Sequence, residues 1–182
     1  RSYAMGRGIN VLVTGVPGSG KSGLCESLVE LYKESGIGGE CGMECLVHVD
    51  VSKFAVEKGF TLEYDSDYAT YEIDEERVLD ELEIETAKHG RIVEYHSCDW
   101  FPERWFQLVV VLRCSTEILF DRLKERGYSG KKLEDNMQCE IFNVLGEEAI
   151  ESYPKAEHLE LRNDTLKQQK DNIGIILDKI QE

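Results

Sequence analysis

The chain has 182 residues, 41% of them hydrophobic, and a formal net charge of −15 at pH 7, so it can bury one substantial core but is short for two domains. This acidity argues against general binding of nucleic acid, because neutralising phosphates requires Lys and Arg. We find neither an apolar run of the roughly 20 residues that a membrane span needs nor the apolar core of a signal peptide, so we expect a soluble, intracellular protein.

Strand and helix patterns alternate along the chain, which is typical of a parallel sheet covered by helices. In the N-terminal half we predict, after a tail at residues 1–8, a strand at 9–14, a helix at 21–35, a break at 36–42, a strand at 46–49, a small helix at 52–58, a polar, Tyr-rich stretch at 63–72, and a helix from Asp74 to about residue 90. In the C-terminal half we predict strands at 91–95, 107–112 and 158–161, helices at 116–126 and 133–153, a basic loop at 127–132, and a closing helix with Ile173, Ile176, Leu177 and Ile180 on one face. These patterns predict a five-stranded parallel sheet flanked by helices.

Residues 15–22 read Gly-Val-Pro-Gly-Ser-Gly-Lys-Ser and match the phosphate-binding loop G-x-x-x-x-G-K-[ST]. The loop lies between an apolar strand and a helix, which is the order that the motif requires. Its glycines let backbone N–H groups surround a phosphate chain at the positive end of the helix dipole. We expect Lys21 to reach the β and γ phosphates of ATP and the Ser22 hydroxyl to bind Mg²⁺. The sequence therefore predicts an α/β P-loop NTPase fold.

Polar side chains lie at the end of the predicted strand at 91–95 and just beyond it. In open α/β sheets, ligands bind beyond the carboxyl ends of the strands. Glu94 is therefore the candidate second contact for Mg²⁺, opposite Ser22; an ordinary edge carboxylate is the alternative. His96 and Asp99 lie just beyond, and either could orient a water or an attacking phosphate. A purely structural histidine is the other interpretation of His96.

Positive charges are scarce in this acidic chain, so their clustering is informative. Arg122 and Arg126 are four residues apart on one predicted helix face, and Lys131 and Lys132 follow in the predicted loop. Phosphoryl transfer needs cations around the equatorial oxygens of the transferred group. The neighbouring glycines favour a mobile lid that closes over the phosphates and expels water. Solvated helix arginines are the alternative interpretation.

The chain contains six cysteines. It is large enough to fold without disulfides, and an intracellular compartment would keep the thiols reduced. Cys41 and Cys45, with His48 close behind, could form a zinc site. The spacing of the two cysteines is not that of a CxxC pair, and the sequence contains no second pair of ligands to complete a zinc site. Free cysteines are therefore the favoured interpretation.

Four short blocks accompany the phosphate loop: Ile-Asp-Glu-Glu-Arg-Val (73–78), Tyr-His-Ser-Cys-Asp-Trp-Phe-Pro-Glu-Arg-Trp (95–105), Arg-Leu-Lys-Glu-Arg-Gly-Tyr (122–128) and Asn-Met-Gln-Cys-Glu-Ile-Phe (136–142). Together with the loop they resemble the CINAP type of adenylate kinase, isoenzyme six. The resemblance runs from about residue 9 to the C-terminus. The phosphate loop is common to many folds, whereas the block around His96 is narrow to this family.

The resemblance implies one nucleoside monophosphate kinase domain over residues 1–182, with a monophosphate-binding segment at 51–71 and a lid at 125–135. It implies Mg²⁺-dependent transfer from ATP to AMP with ATPase activity, in the nucleus and cytoplasm, and a role in maturation of the small ribosomal subunit through binding of a ribosomal protein. The candidate residues are Gly18, Ser19, Gly20, Lys21, Ser22, Gly23, Arg126 and Asn163 for ATP, Ser22 and Glu94 for the metal, and Lys21, His96, Arg122 and Arg126 for catalysis.

Two positions depart from the family pattern. Glu94 stands where the family usually has Asp, one methylene shorter. Val56, after Ala55, occupies the place of a basic residue in the monophosphate-binding segment. Lys53 or Lys58 could replace that charge from a different turn of the helix.

Two other functions stay open beside the kinase. An ATP-gated assembly factor would dock a basic ribosomal protein on its acidic surface and release it on hydrolysis, since complementary fields select partners. A P-loop kinase of another small metabolite would need an acceptor pocket that the motifs do not indicate.

Overall fold

Five parallel strands form the central sheet of the computed structural model, in which residues 8–37 and 45–182 are described. In all, the described residues form seven strands: β1 (Val11–Thr14), β2 (Val47–Asp50), β3 (Thr61–Asp65), β4 (Thr70–Ile73), β5 (Arg91–Glu94), β6 (Leu108–Arg113) and β7 (Glu157–Arg162). The sheet has the order β2-β5-β1-β6-β7, and β3 and β4 form a separate antiparallel hairpin. The predicted five-stranded parallel sheet is confirmed. The predicted tail lies, except for Gly8, outside the described residues.

Helices cover both faces of the sheet. They are α1 (Lys21–Ser35), α2 (Val51–Lys58), α3 (Glu75–Thr86), α4 (Thr116–Glu125), α5 (Gly130–Ile141), α6 (Val144–Ser152) and α7 (Leu166–Gln181). Side chains alternate between the faces of a strand, so Val11 and Val13 pack with α1 and α7, whereas Leu12 packs with α3, α4 and α6. Both faces of β1 are therefore dry, as its apolar sequence requires. Within the described ranges no helix is long and apolar enough to cross a membrane.

The stretch at 63–72, predicted only as polar, lies within the hairpin of β3 and β4. Its strands have no buried face: Leu62, Tyr64 and Tyr71 are all exposed. Tyr64 and Tyr71 instead pack edge to face across the hairpin, with ring centroids 5.1 Å apart. A strand without a buried side has no alternating apolar pattern, so the periodicity that locates strands was missing here.

The long helix predicted at 133–153 is wrong, because two helices occupy this region. Helix α5 ends at Ile141 and α6 begins at Val144, and Asn143 between them has a left-handed backbone with φ of 51°. Asparagine tolerates that conformation better than most residues. The predicted basic loop at 127–132 is also too long, since Lys131 and Lys132 already belong to the first turn of α5.

The carboxyl ends of three strands meet at one edge of the sheet. Strands β1 and β2 both pair with β5, and Glu94 on β5 lies level with Val13 on one side and Asp50 on the other. The phosphate loop leaves β1 at the same edge. The fold therefore brings the loop, Asp50 and Glu94 together, as expected for a ligand site in a parallel sheet.

Candidate active site

The phosphate loop leads into α1 through Gly20, whose backbone is left-handed with φ of 90°. A Cβ at Gly20 would lie 2.5 Å from Asn163 Nδ2, so only glycine fits there. No side chain caps the N-terminus of α1. Its first N–H groups are therefore available to an anion, which is the geometry that holds phosphates in such loops.

Lys21 is held at the start of α1 with only 8% of its surface exposed. Its Nζ donates hydrogen bonds to Gly15 O at 2.7 Å and to Val16 O at 3.1 Å. Burial lowers the pKa of Lys21 to about 8, although the negative charge of Glu94 opposes this shift. The ammonium group is thus already dehydrated and oriented before any phosphate arrives.

The side chains of Ser22 and Glu94 are in contact at the start of α1. Ser22 Oγ donates to Glu94 Oε1 at 2.7 Å, and His48 Nε2 donates to Glu94 Oε2 at 2.6 Å. Burial of Glu94 opposes its charge, but these two hydrogen bonds, together with the electrostatic attraction of His48 and Lys21, hold the pKa of this carboxyl below its usual range. The site therefore contains an ionised carboxylate beside a hydroxyl, a pair of hard oxygen donors that fits Mg²⁺.

A cleft of about 570 Å³ opens at this edge and contains Lys21, Ser22, Glu94 and His96 among its lining residues. The His96 ring packs on Tyr95, with centroids 4.3 Å apart. The side chain of His96 is exposed to solvent within the cleft. Its partial enclosure by neighbouring groups, and then the positive charges of Lys21 and Lys132, lower the pKa of His96 to about 4. The imidazole is therefore neutral at physiological pH and can donate or accept one hydrogen bond.

The two predicted clamp arginines lie in different places. Arg126 lines the cleft. Arg122 instead donates to Gly18 O at 3.0 Å and to Asp164 O at 2.8 Å, which ties the phosphate loop to the segment after β7. The expectation that Arg122 would clamp phosphates is thus not supported by its placement, because its guanidinium is occupied by backbone carbonyls. Lys132 lines the cleft in its place.

Asn163 supports the phosphate loop from behind. Its Nδ2 donates to Ser19 O at 3.0 Å, and its Oδ1 accepts from Asn172 Nδ2 at 3.3 Å. Ser19 is buried and Gly23 is exposed on α1. These contacts give Asn163 a role in shaping the loop, and its contact with ATP stays a prediction.

A second cavity of about 580 Å³ adjoins the cleft over α2 and the hairpin. Tyr95 and His96 line both spaces. Three acidic side chains line the second cavity, and no Lys or Arg does among the described residues; the acidic three are Glu72, Asp74 and Glu75. Val56 also lines it and is 64% exposed. Among the described residues, the charged side chains that line this second cavity are therefore all acidic.

Neither lysine considered as a replacement for the missing basic residue faces this cavity. Lys53 lines a different cavity beside His48. Lys58 lies 3.9 Å from Glu81 and 5.7 Å from the Phe54 ring. The expectation that one of them supplies the acceptor charge is not supported by their positions.

The hairpin contacts helix α5 across the cleft, which the sequence did not predict. Tyr68 donates to Asp135 Oδ2 at 2.6 Å, and Lys131 Nζ lies 5.3 Å from the Tyr68 ring. These side chains belong to elements far apart in the chain, so no local pattern could pair them. The contact brings the predicted monophosphate segment against the predicted lid.

The zinc site considered for Cys41, Cys45 and His48 is only partly visible. Cys41 lies outside the described residues, Cys45 is exposed, and His48 is bonded to Glu94. His48 instead lies near Cys25 and Glu94, with ligand atoms of all three within 4.8 Å of one another. Sequence alone could not group these residues, because they come from α1, β2 and β5.

Comparisons with known proteins agree with this geometry. A family profile described as AAA domain matches residues 11–143. The chain is 49% identical over 156 residues to a Drosophila melanogaster protein named adenylate kinase isoenzyme 6 homolog, covering 86% of this chain and 82% of the relative. It is 42% identical over 166 residues to the Caenorhabditis elegans protein of the same name, covering 90% and 85%.

The fold also matches that of solved P-loop kinases. Shikimate kinase from Bacteroides thetaiotaomicron superposes with a TM-score of 0.61 over 96% of this chain and 99% of that one, at 15% identity. Shikimate kinase from Acinetobacter baumannii, solved with shikimate, gives a TM-score of 0.61 over 94% and 92% at 16% identity. At such low identity the likeness establishes the fold alone.

Proposed function

Since the chain belongs to the adenylate kinase isoenzyme 6 family of P-loop proteins, we propose that it transfers the γ-phosphoryl group of ATP to AMP and yields two ADP. One observation carries the proposal: the dehydrated Lys21 ammonium and the Ser22–Glu94 pair share the cleft at the end of the phosphate loop. This arrangement supports binding of a triphosphate and stabilisation of the charge that develops during transfer.

In the proposed reaction a phosphate oxygen of AMP attacks the γ phosphorus. The bond from that phosphorus to the β–γ bridging oxygen breaks, and ADP leaves with the electron pair. Lys21 would exchange its two carbonyl contacts for β and γ oxygens, and Arg126 would approach from the lid side of the cleft. The protein contributes mainly positioning and positive charge.

The residues at the site fit Mg²⁺. Ser22 and Glu94 are oxygen donors, and the carboxylate is ionised, as this hard cation prefers. These two residues would hold the ion directly or through water. When bound, Mg²⁺ neutralises negative charge on the phosphates.

His96 would act as a positioning group between donor and acceptor. It lines both cavities, and its low pKa, about 4, keeps the ring uncharged. A neutral imidazole can orient the acceptor phosphate or a water by a hydrogen bond. It would add no positive charge, so the acceptor phosphate would depend on Arg126 and Lys132 across the cleft.

ATP hydrolysis is the second candidate function. The specific observation that favours it is the acidic second cavity, in which Val56 stands where the family pattern has a basic residue. Water needs no such charge, whereas AMP does. The net charge of −15 suits a basic protein partner such as a ribosomal protein. That partner, a role in small-subunit maturation, and a nuclear and cytoplasmic location rest on the family resemblance.

³¹P NMR of the products separates the two candidates. Mg²⁺ and ATP are incubated with the protein with and without AMP, and ADP and free phosphate are quantified. Two ADP per ATP consumed, dependent on AMP and with little free phosphate, supports the kinase. Release of the same amount of free phosphate with and without AMP supports the ATPase and overturns the transfer reaction. Lys21→Met serves as the control for contaminating activity.

A further inference from the structure

A cluster of three different ligand types lies directly behind the phosphate loop. Cys25 on α1, His48 on β2 and Glu94 on β5 each contribute one ligand atom, and these atoms lie within 4.8 Å of one another. Cys25 and Glu94 are buried and His48 is half-buried. Three separate elements of the fold thus converge on one point.

The two carboxylate oxygens of Glu94 contact different partners, one in the phosphate-loop region and one in the cluster. Oε1 accepts from Ser22 at 2.7 Å, on the side of the phosphate loop. Oε2 accepts from His48 at 2.6 Å, on the side of the cluster. The oxygen that faces His48 is therefore distinct from the one that faces the predicted Mg²⁺ contact.

The chemistry of the cluster differs from that of a magnesium site. Mg²⁺ takes oxygen ligands, whereas a thiolate, an imidazole and a carboxylate together are typical ligands of Zn²⁺ and similar borderline cations. We propose that Cys25, His48 and Glu94 form a binding site for a zinc-like divalent cation, with water as the fourth ligand. This site lies outside the proposed transfer reaction but shares Glu94 with it.

An acidic cavity provides a route for the cation and for the water ligand. A cavity of about 350 Å³ is lined by His48 and by four carboxylates, against one lysine, Lys53; the carboxylates are Glu26, Asp50, Glu57 and Glu85. Such a surface raises the local concentration of cations. The half-buried His48 is thus the first ligand that an entering cation would meet.

Binding requires three small changes. Tetrahedral ligands at roughly 2.0–2.2 Å from zinc stand about 3.3 Å apart, so His48 and Glu94 must separate by less than about 1 Å from their hydrogen bond. Burial and the charge of Glu94 keep the pKa of the Cys25 thiol well above its usual range. The cation therefore displaces the thiol proton, which is released to solvent, and a thiolate–metal bond forms. His48 Nε2 also gives up the proton that it donates to Glu94; this proton moves to Nδ1 by exchange with solvent, and the freed lone pair of Nε2 binds the cation.

The site predicts antagonism between the two cations. A zinc-like ion that holds Glu94 Oε2 removes the hydrogen bond from His48 and fixes the carboxylate toward the cluster. Provided that the proposed phosphoryl transfer needs Glu94, micromolar zinc would then inhibit turnover. This consequence rests on the proposed function, whereas the binding site itself does not.

Zn²⁺ binding is measured on the full chain without nucleotide, by competition with a chromophoric chelator. Co²⁺ is then used as a spectroscopic probe, because a cobalt–thiolate bond gives charge-transfer absorption in the near ultraviolet. We expect one ion per chain, and an affinity at least about tenfold weaker in both Cys25→Ala and His48→Asn. The cobalt–thiolate band should disappear in Cys25→Ala and persist in Cys45→Ser.

Matched controls keep the result specific. Circular dichroism and thermal unfolding establish that each variant is folded. If Cys25→Ala does not fold, the proposal is tested by the Zn²⁺ affinity of the His48→Asn variant and by the cobalt spectrum of the unsubstituted chain. Unchanged Zn²⁺ affinity in folded His48→Asn, or a cobalt spectrum without the thiolate band, overturns the proposal. Loss of binding in a Cys41→Ser/Cys45→Ser double variant also overturns it, because the ligands would then be the cysteines of the 36–45 segment.

Discussion

The cleft proposed for ATP and the second cavity proposed for AMP differ in the charges that line them. We call the cleft around Lys21 and Glu94 the donor half of the site and the cavity around Val56 the acceptor half. In the donor half, Lys21 is 8% exposed and bound by two carbonyls, and Glu94 is 5% exposed and held by Ser22 and His48. In the acceptor half, Val56 is 64% exposed. Among the described residues, every charged side chain that lines this cavity with Val56 is acidic.

Under the proposed function, this difference means that the donor half offers preorganised charges to a triphosphate, whereas the acceptor half offers no positive side chain to a second phosphate among the described residues. A site whose charges are already dehydrated and oriented loses little free energy on ordering when the ligand binds. The acceptor phosphate must instead find its cations on the lid side, where Arg126 and Lys132 line the cleft. Use of AMP should therefore depend on lid closure more than binding of ATP does.

Removing the Lys21 charge should have the largest effect of the changes considered, because it removes the buried cation of the donor half. Lys21→Met is expected to lower phosphoryl transfer and hydrolysis by about 10²–10³-fold or more, because a cation preorganised for the γ phosphate is lost. The fold should survive, since a buried charge is replaced by an apolar chain of similar length. Rates with saturating Mg²⁺ and ATP, beside circular dichroism, check this, and Lys33→Met at an exposed position of the same helix is the control. Substantial remaining activity would contradict the assignment.

Neutralising Glu94 tests the metal side of the donor half. Glu94→Gln is expected to reduce turnover by about 10–100-fold and to raise the Mg²⁺ concentration needed for half-maximal rate, because a carboxylate ligand becomes a neutral amide. Mg²⁺ titrations of turnover measure both effects. Glu30→Gln, an exposed change on α1, should leave both values in place. A variant with normal Mg²⁺ dependence would show that Glu94 is not a metal contact.

Adding a positive charge to the acceptor half should make it more similar to the donor half. Val56→Arg is expected to lower the KM for AMP by about tenfold, because a charge-assisted hydrogen bond to a phosphate contributes roughly 1.5–3 kcal/mol. The KM for ATP should stay unchanged. The exposed position accommodates the longer side chain, and Val56→Leu controls for size. An unaltered KM for AMP would place the acceptor phosphate elsewhere.

The pKa of Lys21 predicts a pH effect confined to the donor half. Burial lowers this pKa to about 8, so the ammonium that attracts the triphosphate is lost from the free protein as pH rises through 8. The value of kcat/KM for ATP should fall about fourfold between pH 7 and pH 8.5. Steady-state kinetics at constant ionic strength measure it. A profile that stays flat to pH 9 would mean that Lys21 keeps its ordinary pKa.

The sequence predicted the donor half better than the acceptor half for a physical reason. The loop, Lys21 and Ser22 are contiguous, and Glu94 closes a strand in which Ile92 and Val93 are both buried. The hairpin has no buried face, so nothing in its pattern located its strands. Likewise, only the three-dimensional structure shows that Arg122 is bound to backbone carbonyls.

Contacts between distant elements were beyond any local pattern. The bond of Tyr68 to Asp135 joins residues 67 positions apart, and that of His48 to Glu94 joins residues 46 positions apart. The left-handed Asn143 that divides two helices had a local signal, because asparagine favours such positions, but the surrounding helical periodicity outweighed it.

Isothermal titration calorimetry with each nucleotide alone tests the contrast between the two halves most directly. A non-hydrolysable ATP analogue with Mg²⁺ is titrated into the protein in one experiment and AMP in another, at the same pH and ionic strength. A donor half with preorganised charges and an acidic acceptor half predict that the analogue binds at least about tenfold more tightly than AMP. AMP binding that equals or exceeds that of the analogue would contradict the account.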